Sequence, residues 1–160
     1  MKKIIVENKA EIFNSLDGLS ESDKLLMEKA IQATKTSYSP YSNFKVGACL
    51  LLENGTYISG SNQENAAYPS GMCAERVAFW KAGSEYPNVK ILKIAISATS
   101  QNKSLDRPVG PCGACRQSML EYELKQEEGI EVLFMGEVGK VVKVASVTSL
   151  LPFSFDSSYL

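Results

Sequence analysis

Val89-Lys90-Ile91-Leu92-Lys93-Ile94-Ala95-Ile96-Ser97-Ala98-Thr99 is the stretch that decides the fold. Its apolar positions Ile91, Ile94 and Ile96 predict a strand buried within a sheet. The chain then changes character. Ser100 to Pro111 is polar and holds two prolines, which predicts a loop, and Gly113 to about Glu127 predicts a helix. Ile130 to Met135 and Val141 to Val144 read as further strands, so strands and helices alternate as in a layered α/β domain.

The same reading extends towards the N-terminus. Phe44 to Leu52 and Thr56 to Gly60 predict two strands joined at Glu53-Asn54-Gly55, where Asn-Gly is a strong hairpin signal. That hairpin makes the sheet mixed rather than all parallel. Ser20-Glu21-Ser22-Asp23 predicts a helix start, and Leu25, Leu26, Ala30 and Ala33 form one apolar face until Ser39-Pro40 stops the helix. A second helix is expected from Cys73 to Gly83, with Gly83 as its C-terminal cap. Met1 to Gly18 is expected to hold a short strand around Ile4 to Val6. The chain closes on Leu150-Leu151-Pro152-Phe153-Ser154-Phe155 and a polar tail.

A length of 160 residues fits one domain, 1–160, in which residues 1–19 read as an N-terminal extension. Seventeen Lys+Arg against eighteen Asp+Glu leave a net charge of −1, which supplies no field to gather a polyanion. Nucleic acid is therefore not an expected partner. The chain has no histidine, which excludes a Ser-His-Asp triad, a Cys-His pair and any His-ligated metal. Any metal must be held mainly by Cys, Asp or Glu. After Met1-Lys2-Lys3 the apolar run is only Ile4-Ile5-Val6, too short for a signal core, and no stretch approaches a membrane span. With four cysteines too few for a disulfide framework, the expectation is a cytoplasmic protein with no membrane partner.

The cysteines carry the chemistry. Cys73-Ala74-Glu75 and Pro111-Cys112-Gly113-Ala114-Cys115 are each weak signals alone. Together they match the zinc-deaminase pattern in its three-cysteine form, in which a ligand two residues before a Glu joins a later Pro-Cys-x-x-Cys. Three thiolates would leave the fourth tetrahedral position of zinc open to water. Helix starts at Cys73 and at Cys112 would lower the thiol pKa values, and Glu75 could face the water without ligating. Arg76 and Arg116 could offset the excess negative charge by donating hydrogen bonds to sulfur. Two other readings remain open at this point. All four cysteines, Cys49 included, could close a structural zinc site serving an interaction module, or Cys112 and Cys115 could be a redox dithiol.

Several ordered blocks resemble the cytidine deaminase family in its small homotetrameric branch. They are Tyr41-Ser42-Asn43-Phe44-Lys45-Val46-Gly47-Ala48, Asn62-Gln63-Glu64-Asn65-Ala66-Ala67-Tyr68-Pro69, Cys73-Ala74-Glu75-Arg76, Pro111-Cys112-Gly113-Ala114-Cys115-Arg116-Gln117 and the Leu150 to Phe155 segment. The resemblance implies a three-layer fold with a mixed central sheet of about five strands flanked by helices. It also implies one zinc ion per chain on Cys73, Cys112 and Cys115, with Glu75 as proton shuttle. Asn62 and Glu64 would hold the ribose hydroxyls, Phe44 would pack on the nucleoside, and the backbone at Cys73 and Ala74 would read the pyrimidine. Ala66 and Tyr68 would complete a neighbouring subunit's site, and Phe155 would reach over the base from another, giving a homotetramer with shared sites. The implied reaction is hydrolytic deamination of cytidine and 2′-deoxycytidine, a step of pyrimidine salvage. Polynucleotide deaminases and deaminases of nucleoside antibiotics share the zinc chemistry. The near-neutral charge and a carboxylate at Glu64 argue against the first, and the Asn62-to-Pro69 block favours the plain nucleoside over the second. Gln63 departs from the aliphatic residue of many relatives, and Met72 is also at a variable position.

Overall fold

The computed structural model describes residues 1–160. In chain order its elements are β1 (Glu11–Phe13), α1 (Glu21–Ala33), β2 (Phe44–Leu52), β3 (Tyr57–Ser61), α2 (Ala74–Glu85), β4 (Ile91–Ser100), α3 (Gly113–Gln126), β5 (Glu131–Met135) and β6 (Val141–Val144). They build one mixed sheet in the order β1-β6-β5-β4-β2-β3. Only β4 and β5 run parallel, joined through α3 as a strand–helix–strand crossover. The other pairs are antiparallel.

Side-chain alternation makes three layers. Along β2, Ala48, Leu50 and Leu52 enter the core that holds Ala78 and Phe79 of α2 and Met119 and Leu120 of α3. Cys49 turns to the opposite face and joins Leu26, Met27 and Ala30 of α1. The strand β4 divides likewise, with Ile94 and Ile96 towards α2 and α3, and Ala95 towards α1. α2 lies hard on β3 at Gly60, where an added Cβ would stand 2.6 Å from both Ala74 O and Ala78 N. This close approach fixes the start of α2, and with it Cys73, against the sheet.

The predicted strands of the hairpin and of β4, β5 and β6 are present, and β3 starts one residue after Thr56. The sheet has six strands rather than about five because the N-terminal strand exists, though not where it was expected. Ile4 to Val6 are exposed and outside any strand, and β1 instead forms the edge of the sheet by pairing with β6 at Glu11 to Phe13. That register sets Glu11 opposite Lys143 and lets Phe13 pack against the core beneath α1. Residues 4–6 have no such partner.

The helices also adjust. Ser20 caps α1 by accepting from Asp23 N at 3.2 Å, and Leu26, Ala30 and Ala33 are buried. Leu25 is exposed, one position round from that stripe, and the α-helix gives way to a short 3₁₀ turn at Thr34–Thr36, ahead of Ser39-Pro40. Gly83 is not a cap. α2 continues to Glu85, and Gly83 is an interior position where a Cβ would meet Tyr122 Oη at 2.7 Å. Its missing side chain admits the Tyr122 ring of α3, which meets Phe79 edge-on at 5.1 Å. α3 ends at Gln126 with Glu127 in the left-handed region.

Candidate active site

Two helix N-termini converge on one spot. Cys73 is the residue before α2, Cys112 the residue before α3, and Cys115 lies in the first turn of α3. Their sulfurs all lie within 4.8 Å of one another. Tetrahedral zinc with bonds of about 2.3 Å sets its sulfurs about 3.8 Å apart, so the donor set fits such an ion. The thiols alone do not share their charge evenly. A hydrogen bond from Cys115 and, against the cost of burial, one from Arg76 pull Cys73 down to about 5. The same bond to Cys73, together with burial, pushes Cys115 strongly up. Three sulfurs this close ionise together only around a cation.

Cys49 takes no part in the cluster. It is fully buried on the α1 face of the sheet, where it accepts from Ser59 Oγ at 3.5 Å and burial raises its pKa. The thiolate set is therefore three, not four. The pairing of Cys73 with the Cys112/Cys115 pair also leaves a simple dithiol without support.

Glu75 sits one helical position inside α2 and is 4% exposed. Burial raises its pKa first, and the negative charge at Cys73 adds to the effect. It forms no ion pair with any lysine or arginine. A buried carboxyl with a raised pKa beside three thiols is suited to take up and release a proton.

The two arginines differ. Arg76 Nη2 donates to Cys73 Sγ at 3.5 Å and its guanidinium lies 5.9 Å from the centre of the Trp80 ring. Arg116 reaches no sulfur. Its Nε donates to Pro111 O and its Nη1 to Leu150 O, both at 2.9 Å, so it braces the C-terminal segment against the Cys112 loop. Its expected bond to a ligand is thus replaced by two bonds to backbone carbonyls, which its sequence neighbourhood could not reveal. Phe79 is buried core and Trp80 is 47% exposed.

A cavity of about 690 Å³ opens over this cluster and brings together Phe44, Asn62, Glu64, Tyr68, Cys73, Glu75, Arg76 and Cys112. Asn62 is nearly spent inside the chain. Its Oδ1 accepts from Ser37 Oγ at 2.6 Å and Val46 N at 2.7 Å, and its Nδ2 donates to Phe44 O at 2.9 Å. One amide proton remains. Glu64 accepts at Oε2 from Tyr41 N (2.9 Å) and Ser42 N (3.2 Å), and at Oε1 from the Ser42 hydroxyl. The Ser42 bond is the main cause that holds its pKa below the ordinary carboxylate value. Of about four acceptor positions on a carboxylate, one is left.

Ala74 is buried at the first turn of α2. Ala66 is exposed and outside the cavity wall, whereas Tyr68 stands on its rim, 6.3 Å from Tyr41 ring to ring. Phe155 does not reach this cavity. It stacks on Tyr159 at 5.6 Å, and its carbonyl accepts from Gln117 Nε2 at 2.9 Å. Sequence reading assigned no role to Tyr41, Ser42, Ile96, Val109 or Gly110, which also line the cavity. Tyr41 and Ser42 flank the residues already singled out, and Val109-Gly110 immediately precede Pro111, so adjacency was the available signal.

Comparison with known proteins agrees with this geometry. The family model of the cytidine and deoxycytidylate deaminase zinc-binding region matches residues 20–127. A cytidine deaminase of Halalkalibacterium halodurans is 40% identical over 132 residues, covering 82% of this chain and 92% of that protein. One of Sporosarcina psychrophila is 38% identical, over 86% of this chain and 93% of the relative. Among solved structures, the cytidine deaminase of Burkholderia pseudomallei superposes with a TM-score of 0.71 at 35% identity, covering 86% of this chain and all of that one.

Proposed function

The chain belongs to the cytidine and deoxycytidylate deaminase family, and from that premise we propose that it hydrolyses cytidine and 2′-deoxycytidine to the uridine nucleosides and ammonia. The observation that carries this reading is the meeting of three thiols and the buried Glu75 at a cavity that Asn62 and Glu64 also line.

Cys73, Cys112 and Cys115 hold one zinc ion per chain. When bound, zinc acidifies the attacking water and stabilises negative charge developing on oxygen. The remaining work falls to the chain. Glu75 takes a proton from the water and gives it to the ring nitrogen beside the amino-bearing carbon. With the water oxygen bonded to that carbon, Glu75 moves the second water proton from this oxygen to the amine as the C–N bond breaks, so that water and cytidine leave as uridine and ammonia. A buried carboxyl with a raised pKa serves both transfers, since it holds the proton without an ion-pair partner to stabilise its charge. Arg76 draws negative charge from Cys73 and keeps the thiolate set from weakening the ion as a Lewis acid.

The sugar end is read from its spare valences. Asn62 retains one donor and Glu64 one acceptor, which together suit a single hydroxyl that accepts from the amide and donates to the carboxylate. A hydroxyl common to ribose and deoxyribose meets that need, which supports the use of both nucleosides. Phe44 packs on the nucleoside, and the backbone at Cys73 and Ala74 reads the pyrimidine edge.

The enzyme is read as a cytoplasmic one of pyrimidine salvage, with residues 1–160 as one domain and residues 1–19 as its extension. It is further read as a homotetramer in which Ala66 and Tyr68 complete a neighbour's site and Phe155 covers the base in another. The exposure of Tyr68 and Phe155, 77% and 59%, supports that assembly. Incubating purified protein with cytidine tests the activity: the ultraviolet spectrum should shift from cytosine to uracil, and a zinc chelator should stop it. Protein that carries zinc and leaves cytidine unchanged would contradict the proposal. Light scattering at four times 17.5 kDa would support the tetramer.

A further inference from the structure

Resting on the reading of Glu64 as a sugar ligand, we propose that Ser42 is a positioning residue of the site, which locks the Glu64 carboxylate in its sugar-accepting orientation. Glu64 receives all three of its hydrogen bonds from one turn of chain. Two come from backbone N–H groups, Tyr41 and Ser42, and both land on Oε2. The third is the Ser42 hydroxyl, and it alone holds Oε1, the oxygen left with a position for substrate.

The direction of that bond is fixed by chemistry. Phe44 N lies 3.0 Å from Ser42 Oγ, and an amide N–H can only donate. Ser42 Oγ therefore accepts from Phe44, and its single proton goes to Glu64. The result is a relay from the Phe44 amide through the Ser42 hydroxyl to Oε1. One end is the first residue of β2, whose ring lines the cavity, and the other is the carboxylate across from it.

The turn carrying Ser42 is itself moored. Asn102 Nδ2 donates to Ser42 O and Gln101 N donates to Asn43 O, each at 3.1 Å, while Asn43 holds a φ of 54° in the left-handed region. These ties come from the residues just after β4, so the hydroxyl is referred to two strands of the sheet. Without it, the backbone amides still grip Oε2, but Oε1 has no tie of its own and the sugar must order it on binding. Such a loss falls on ground state and transition state alike, so it raises KM and spares kcat.

The test is a cycle of four variants on cytidine: Ser42→Ala, Ser42→Thr, Glu64→Ala and the Ser42→Ala/Glu64→Ala double. Ser42→Ala should raise KM about tenfold, the weight of one hydrogen bond to a charged group, with kcat within about twofold of wild type. Ser42→Thr keeps the hydroxyl and should return KM close to wild type, which a mere packing role would not predict. In the Glu64→Ala background, Ser42→Ala should add nothing to KM. A normal KM in Ser42→Ala beside a raised one in Glu64→Ala would overturn the role of Ser42 alone, as would full additivity in the double. An unchanged KM in Glu64→Ala would overturn both this proposal and the sugar reading beneath it.

Discussion

The two faces of the sheet each bury a carboxylate, and they treat it in opposite ways. Asp23, under α1, is 3% exposed, and Glu75, under the sulfur cluster, is 4% exposed. Asp23 is closed off by charge. Lys93 and Lys143 reach it at 2.7 and 2.8 Å, and both lysines also pair with Glu131, at 2.8 and 3.2 Å. Burial alone would raise the Asp23 pKa, but the lysine hydrogen bonds outweigh it and hold the group below its ordinary value. Glu75 has no such partners and its pKa rises. Both side chains are closed to solvent, and their charged neighbours differ. The saturated Asp23 holds layers together, whereas Glu75, left without a cation, is suited to exchange protons.

This contrast is sharpest under mutation. Glu75→Gln should lower kcat by at least ~10²–10⁴-fold while zinc content and thermal stability stay near wild type. Asp23→Asn should do the reverse. It leaves two half-buried lysines sharing one glutamate, and should cost about 3 kcal/mol in urea unfolding at neutral pH while kcat holds. The pH dependence follows from the sign of the Asp23 shift. A carboxyl held low in the folded state contributes stability that is fully present above its unfolded value near 3.9 and is lost as pH falls through the lower folded value. The wild type should therefore lose stability over that acid range more steeply than Asp23→Asn, and equal slopes would show that the Asp23 ion pairs contribute nothing.

Smaller effects probe the boundary between the faces. Arg76→Gln should keep zinc yet reduce turnover roughly 10–100-fold, because Cys73 loses its one cationic partner. Turnover equal to wild type would assign Arg76 to packing on Trp80 alone. Cys49→Ala should retain one zinc per chain and cost about 1 kcal/mol of stability. Loss of zinc in that variant would mean that the α1 face contributes a ligand after all.

Local spacing made the chemistry legible before the fold was known. Cys73 and Glu75 lie two residues apart at a helix start, and Cys112 and Cys115 three apart at another, so each pair is placed by its own backbone. The strands β2 to β6 were legible for the same reason, since apolar runs and an Asn-Gly turn are local signals. What escaped depends on partners far away in sequence. Arg116 finds Leu150 O, thirty-four residues on. The N-terminal strand forms at Glu11 to Phe13 because β6 offers unpaired backbone groups there and Phe13 reaches the core beneath α1. Gly83 looked like a helix cap because nothing near it announces the Tyr122 ring that fills its space. At the cavity rim, Asn62 and Glu64 were visible, but the turn that supplies all three hydrogen bonds to the Glu64 carboxylate was not. Tyr41 and Ser42 reach Glu64 across twenty-three and twenty-two residues.

The most direct test sets wild type and Glu75→Gln side by side on cytidine, with zinc measured in both. An open three-thiolate site served by Glu75 predicts one zinc per chain in each protein, conversion of cytidine to uridine by the wild type, and a rate at least ~100-fold lower in the variant. A variant that carries zinc and deaminates at close to the wild-type rate would contradict the account.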